Sequence, residues 1–235
     1  MPFLIYVFIS SQVFNTYGST GNIGLLHRYG FTEVDNPYDI VNIDLDLVLK
    51  WSSSLFSNRY SRARLSLWRK LDCSGCVSEN AEYFEISFNG HPQVELLILL
   101  YIMLLPEEDY HILDLAVSTT KKHKESIGMI LLEKCNISLD RGSELNKDLL
   151  LTENVCSALL WLVDERESLY GSSSMKDDIE ALKKCSEKDR KLYHSLMLRL
   201  SERRILKKLR AYGAARCKIV ENYKRASKSK RRKRT

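Results

Sequence analysis

The sequence predicts a mainly α fold, a helical domain preceded by a small β-containing segment. Three observations predict it. From Asp46 onward apolar residues recur at the three- and four-residue spacing of a helix face. Only four prolines and ten glycines interrupt 235 residues. Strand-like runs are confined to the first 45 residues and to 83–88. With 44% hydrophobic and 28% charged residues, the chain has enough apolar material to bury a core over most of its length. Its size permits one large domain or two small ones and excludes a disulfide miniprotein.

Taken in order, residues 2–9 are apolar but lack a basic flank and a cleavage site, and eight residues cannot span a bilayer, so a buried strand is expected. Residues 12–15 read as strand, 16–21 as turn, and 22–29 as a short helix stopped by Gly30. Asn36 and Pro37 break the chain before a strand at 40–45. Helices are expected over 47–56, 59–71, 92–105 with Pro92 in its first turn, 107–117, 119–135, 152–170 and 175–185. Alternation over 83–88, followed by Asn89 and Gly90, predicts a strand entering a tight turn, and 171–174 reads as a loop. The run 96–105 is wholly apolar, yet ten residues make about 15 Å of helix against a hydrocarbon core of ~30 Å; it is a core helix. From Asp189 a long helix carries Leu198, Ile205, Tyr212 and Ile219 on one stripe. Past Tyr223 the apolar residues run out and disorder is expected.

The formal charge of +6 conceals an asymmetry. Residues 201–235 hold 15 Lys/Arg and 2 Asp/Glu, a local +13, which leaves 21 basic against 28 acidic residues, or −7, for the rest. The segment from Lys224 to Thr235 reads first as an import-receptor signal, which predicts a nuclear protein with the cytoplasm as the alternative; loose nucleic-acid contact or plain solubility are the other readings. No membrane partner is expected, and nucleic acid is not the leading one. Six scattered cysteines suit a reduced compartment, and the single pair Cys73 and Cys76 lacks the second half of a zinc ribbon. The five histidines, His27, His91, His111, His123 and His194, share no metal spacing, so no metal site is expected; Gly18, Gly21 and Gly24 are turn glycines, not a dinucleotide fingerprint.

The most informative stretch is QVFNTYG, Gln12 to Gly18, followed by Asn22, Leu25, Leu26 and RYGF, Arg28 to Phe31. It resembles the C-terminal end of the SET domain in the Rubisco and ribosomal-protein group of SET lysine methyltransferases. The resemblance implies that Tyr17 takes the catalytic position, that Tyr29 and Phe31 line the channel for the substrate lysine, and that the helical remainder is similar to the substrate-binding domain of that group. The implied organisation is a SET remnant over 1–43, a helical substrate-binding domain over 44–223 and a basic tail over 224–235. A neutral lysine amine must be shielded from water and aligned with the sulfonium methyl of S-adenosylmethionine, and an aromatic channel with phenol oxygens suits that task. The sequence departs from the family in lacking an Asn-His dipeptide, and Ile9, Ser10 and Ser11 stand where the family has a Gly-Glu or Gly-Gln turn. The residues that bind the cofactor are therefore unknown. The expectation is a part of a larger enzyme that needs S-adenosylmethionine only in its full-length form and whose partner is a protein bearing a target lysine. Two alternatives stay open: Tyr17 and Tyr29 as core aromatics of a small β-rich unit, and the whole chain as a non-catalytic protein-binding module.

Overall fold

The computed structural model describes residues 17–71, 83–119, 147–186 and 188–232, with backbone alone for residue 148 and residues 218–232. The strands expected over 2–9 and 12–15, the helix expected over 119–135 past Thr119, and the Cys73 and Cys76 pair lie outside the described residues. The elements are α1 (Asn22–Tyr29), β1 (Ile40–Asp44), α2 (Leu45–Leu55), α3 (Asn58–Lys70), β2 (Tyr83–Ser87), α4 (Val94–Met103), α5 (Glu107–Thr119), α6 (Lys147–Leu150), α7 (Glu153–Ser168), α8 (Met175–Lys184) and α9 (Arg190–Arg232). The fold is mainly α, as the sequence predicts. Side-chain caps start three of the helices: the hydroxyls of Ser57, Thr152 and Ser174 accept from the third amide beyond, and Asp177 returns a bond to the Ser174 N–H in a capping box.

β1 and β2 pair antiparallel with Val41 opposite Ile86 and Ile43 opposite Phe84, all four buried. This small sheet joins residues on both sides of the expected boundary at 43 and 44. Pro92 does not open a helix turn. It bridges to Ile86, because the Gln93 N–H donates to Glu85 O at 3.1 Å while the Gln93 side chain accepts from Glu85 N at 2.9 Å, which keeps the segment extended until Val94.

α4 is the centre of the core, with every residue from Leu96 to Met103 buried, as expected for a helix apolar all round. Its C-terminal carbonyls find an unusual partner in Arg64, 1% exposed, whose guanidinium donates to Ile102 O at 2.8 Å and to Glu107 at 3.0 Å. The Tyr60 and Tyr110 rings sandwich that cation at 3.9 and 4.5 Å. Nothing in the sequence distinguishes Arg64 from the exposed Arg62 two residues earlier.

α9 is the spine of the molecule. It runs antiparallel to α7: Cys217 Sγ lies 4.0 Å from Glu153 O, a Cβ on Gly213 would come within 3.4 Å of Leu160, Arg210 pairs with Asp164, and Glu202 accepts from Arg166 at 2.9 Å. Ile205 and Tyr212 of the expected stripe pack on the core, while Leu198 is only half-buried. The helical backbone continues to Arg232, past the point where composition alone predicts loss of order. No proline or glycine follows Gly213, and Lys, Arg and Ala are good helix formers.

Candidate functional site

The residues before β1 form a loop around α1 that is closed on itself by side-chain amides. Asn22, 1% exposed, starts the helix: its N–H donates to Asp39 Oδ1 at 2.5 Å, its side-chain amide donates to Asp39 Oδ2 at 2.7 Å and to Glu33 O at 2.9 Å, and its carbonyl accepts from Glu33 N at 2.7 Å. Asn36, equally buried, does the same, donating to Thr20 O at 2.9 Å and accepting from Tyr38 N at 2.9 Å. Gly21 is required by proximity, since a Cβ there would lie 2.8 Å from Tyr38 O. Asp39, 4% exposed, also accepts from the hydroxyl of Ser201 on α9, and Thr32 meets His194 Nδ1 at 2.9 Å. Arg204 pairs with Asp35 at 2.6 Å. The whole loop is thereby fastened to the spine.

This clamp sets the aromatic geometry. Gly30, at φ 77°, adopts the left-handed conformation that ends α1 one residue after Tyr29 and turns the chain back. The turn brings Phe31 towards Tyr17 and Tyr29. Ring centroids are 4.7 Å apart for Tyr17 and Tyr29, 5.1 Å for Tyr17 and Phe31, and 6.4 Å for Tyr29 and Phe31, in tilted or edge-on arrangements. Tyr17 is 54% and Tyr29 50% exposed, so the cluster forms an open aromatic wall. Such a wall can cover the aliphatic stem of a lysine with its ring faces and orient an amine with its phenol oxygens.

All three sequence-predicted site residues are therefore brought together. Sequence reasoning missed what holds them: Asp39, Asn36 and Ser201 belong to no motif, and Asn22 is visible only as one letter of the resemblance. The local signal was a set of short polar residues beside turns, where Asn and Asp side chains bond to backbone.

Two surface cavities lie elsewhere. One of about 280 Å³ is bounded by Asp164, Glu167, Ser173, Arg203 and Arg210, and one of about 340 Å³ by Asp35, Phe88, Ser201, Arg204 and Lys208; neither includes the aromatic wall. Beside the first, burial and then the Glu202 charge push the Tyr170 phenol well above its ordinary range. On the other end of α7, burial, reinforced by the neighbouring Cys217, pushes the Cys156 thiol up to about 12. Among the described residues, no group of three or more His, Cys, Asp or Glu side chains is placed to hold a metal ion, and no helix is long and apolar enough to cross a membrane.

An alignment 69 positions long, covering 23% of the chain, is 38% identical to ribosomal lysine N-methyltransferase 3 of Saccharomyces cerevisiae. The stretch spans 12% of the length of that curated relative. No family model matches the chain. The likeness relates part of this chain to a lysine methyltransferase.

Proposed function

We propose that the chain contributes the end of a SET core and an attached helical substrate-binding domain to a protein-lysine N-methyltransferase of the Rubisco and ribosomal-protein group. Tyr17 orients the target amine at the point of transfer, Tyr29 and Phe31 line the channel that leads to it, and the helical body over 44–223 holds the protein that bears the lysine. The observation that carries this reading is the convergence of three rings, separated in sequence by a helix and a glycine turn, into one wall with both phenols open to an incoming side chain. The partial likeness to a lysine methyltransferase supports it.

The chemistry expected of these residues is limited and specific. Ring faces displace water from the lysine stem and so favour the neutral amine over the ammonium, which has an ordinary pKa of about 10.4. A phenol oxygen then fixes the direction of the nitrogen lone pair. S-adenosylmethionine supplies the electrophilic methyl in such enzymes. Neither of the two cavities borders the rings, and no residue is assigned to hold the cofactor.

The test is labelled methyl transfer by a polypeptide that carries this segment joined to a cofactor-binding half. Tyr17→Phe removes one oxygen and is expected to lower turnover by on the order of 10²-fold with the far-ultraviolet circular dichroism unchanged. Unaltered transfer would remove Tyr17 from the site. A protein-binding module without catalysis predicts the opposite pattern: partner capture that is indifferent to Tyr17→Phe, and no transfer at all.

A further inference from the structure

Along α9 the arginines change company. Between Arg199 and Arg210 each one meets a carboxylate: Arg199 and Arg203 share Asp178, with Arg203 Nε at 3.2 Å; Arg204 pairs with Asp35 at 2.6 Å; and Arg210 pairs with Asp164 and, at 3.2 Å, with Glu167. Those pairs stitch the spine to α7, α8 and the α1 loop. Beyond Cys217 the helix continues without that acidic company in its own sequence: residues 218–232 hold seven Lys/Arg and the single acid Glu221.

Fifteen residues of helix rise about 22 Å, so the backbone carries on average one Lys or Arg per about 3 Å of axis, most of them in its second half. Lys224, Lys228 and Arg232 stand four residues apart, and like charges at that spacing repel by about 0.2–0.5 kcal/mol per pair. A polyanion relieves this repulsion. A helix with its side chains is about 10–12 Å across, close to the ~12 Å width of the B-DNA major groove, whereas the A-form groove of RNA is too narrow to admit it. An import receptor reads an extended cluster and would first have to unwind the helix.

We propose that the arm at residues 218–232 is a nucleic-acid-binding helix that lies in the major groove of a B-form DNA duplex and grips its phosphates without reading its bases. The proposal is independent of the methyltransferase reading, because binding is measured without any methyl donor.

The experiment is fluorescence anisotropy of the full chain with labelled 20-base-pair DNA duplexes of two unrelated sequences. With about four phosphates neutralised at once, affinity should fall about tenfold for each doubling of salt. The two sequences should bind within threefold of each other. Replacing Lys224, Arg225, Lys228, Lys230, Arg231 and Arg232 with Gln, a helix former, should weaken binding at least about thirtyfold without altering the thermal melt. Replacing the three lysines with Arg should preserve it. Tighter binding to an RNA hairpin of equal length, salt-insensitive binding, full affinity in the Gln variant, or capture by an import receptor with no affinity for DNA would each overturn the proposal.

Discussion

Asp39→Ala should open the α1 loop while leaving the helical core closed. The substitution leaves three donors without their acceptor: the Asn22 N–H at 2.5 Å, one hydrogen of the Asn22 amide at 2.7 Å, and the Ser201 hydroxyl. Asn22 is 1% exposed, so water cannot reach its two donors, whereas Ser201 is half-buried and recovers a water partner. Two orphaned buried donors at about 1–3 kcal/mol each give a loss of about 2–6 kcal/mol, centred near 4. The loss falls on a short segment tied to the spine by few bonds, so it appears as local opening. Native-state hydrogen exchange reads it. At 1.4 kcal/mol per decade, protection at the Leu25 amide should fall by about 1.4 to 4 decades, while that of Leu99 in α4 stays within a factor of three. Asp39→Asn keeps one carbonyl acceptor but turns an amide towards donors, and should lie between wild type and alanine. Ser201→Ala should cost about 1 kcal/mol alone and almost nothing in the Asp39→Ala background, since the two share one bond. Less than a threefold change at Leu25, or an equal loss at Leu99, would refute the clamp as a local device.

Tyr170 has a folded-state pKa raised above 10, by burial first and by Glu202 second, so its contribution is present in full below the unfolded value and is lost as pH rises through 10 towards the folded value. Urea midpoints at pH 9 and 10.5 should therefore fall more steeply in wild type than in Tyr170→Phe, and parallel slopes would contradict this. Cys156, with its thiol pushed up to about 12, carries almost no thiolate at pH 8 and should resist iodoacetamide in the native protein while reacting at once in denaturant. Mass spectrometry of the alkylated peptide decides it, and rapid native labelling of Cys156 would count against the assigned burial.

What was legible in the sequence follows from the range of the interactions. α4 announces itself because ten apolar residues in a row can only be buried, and β2 because alternation is local. Gly30 marks the end of α1 for the same reason: a left-handed cap is a property of one residue. The aromatic wall was legible through resemblance and not through pattern, since no periodicity relates Tyr17 to Phe31. Its clamp was not legible at all. Asp39 meets Ser201 across 162 positions, and Arg64 earns its burial from carbonyls 38 positions away; hydrogen-bond partners at that distance leave no period to read. The start of α4 was misplaced because Gln93 spends its amide on β2, a tertiary bond that outweighs the preference of proline for a first helical turn.

The position of α9 in the chain has a consequence for biosynthesis. Its bonds to the front of the molecule span most of the sequence: Ser201 to Asp39, Lys208 to the carbonyl of Phe88 at 2.8 Å, and, through Glu202, Arg166 to the carbonyl of Asn42 at 3.0 Å. The first two cannot form until the spine has left the ribosome, and the third gains its Glu202 partner only then. At about 5–20 residues per second, the interval between the appearance of Asp39 and that of Ser201 is on the order of ten to thirty seconds. From its own synthesis until then, each of β1, β2 and α7 lacks the face that α9 supplies. Among the described elements α9 is the one that closes the fold, and dependence on chaperones during synthesis should be set by how quickly α9 docks rather than by how quickly the earlier helices form.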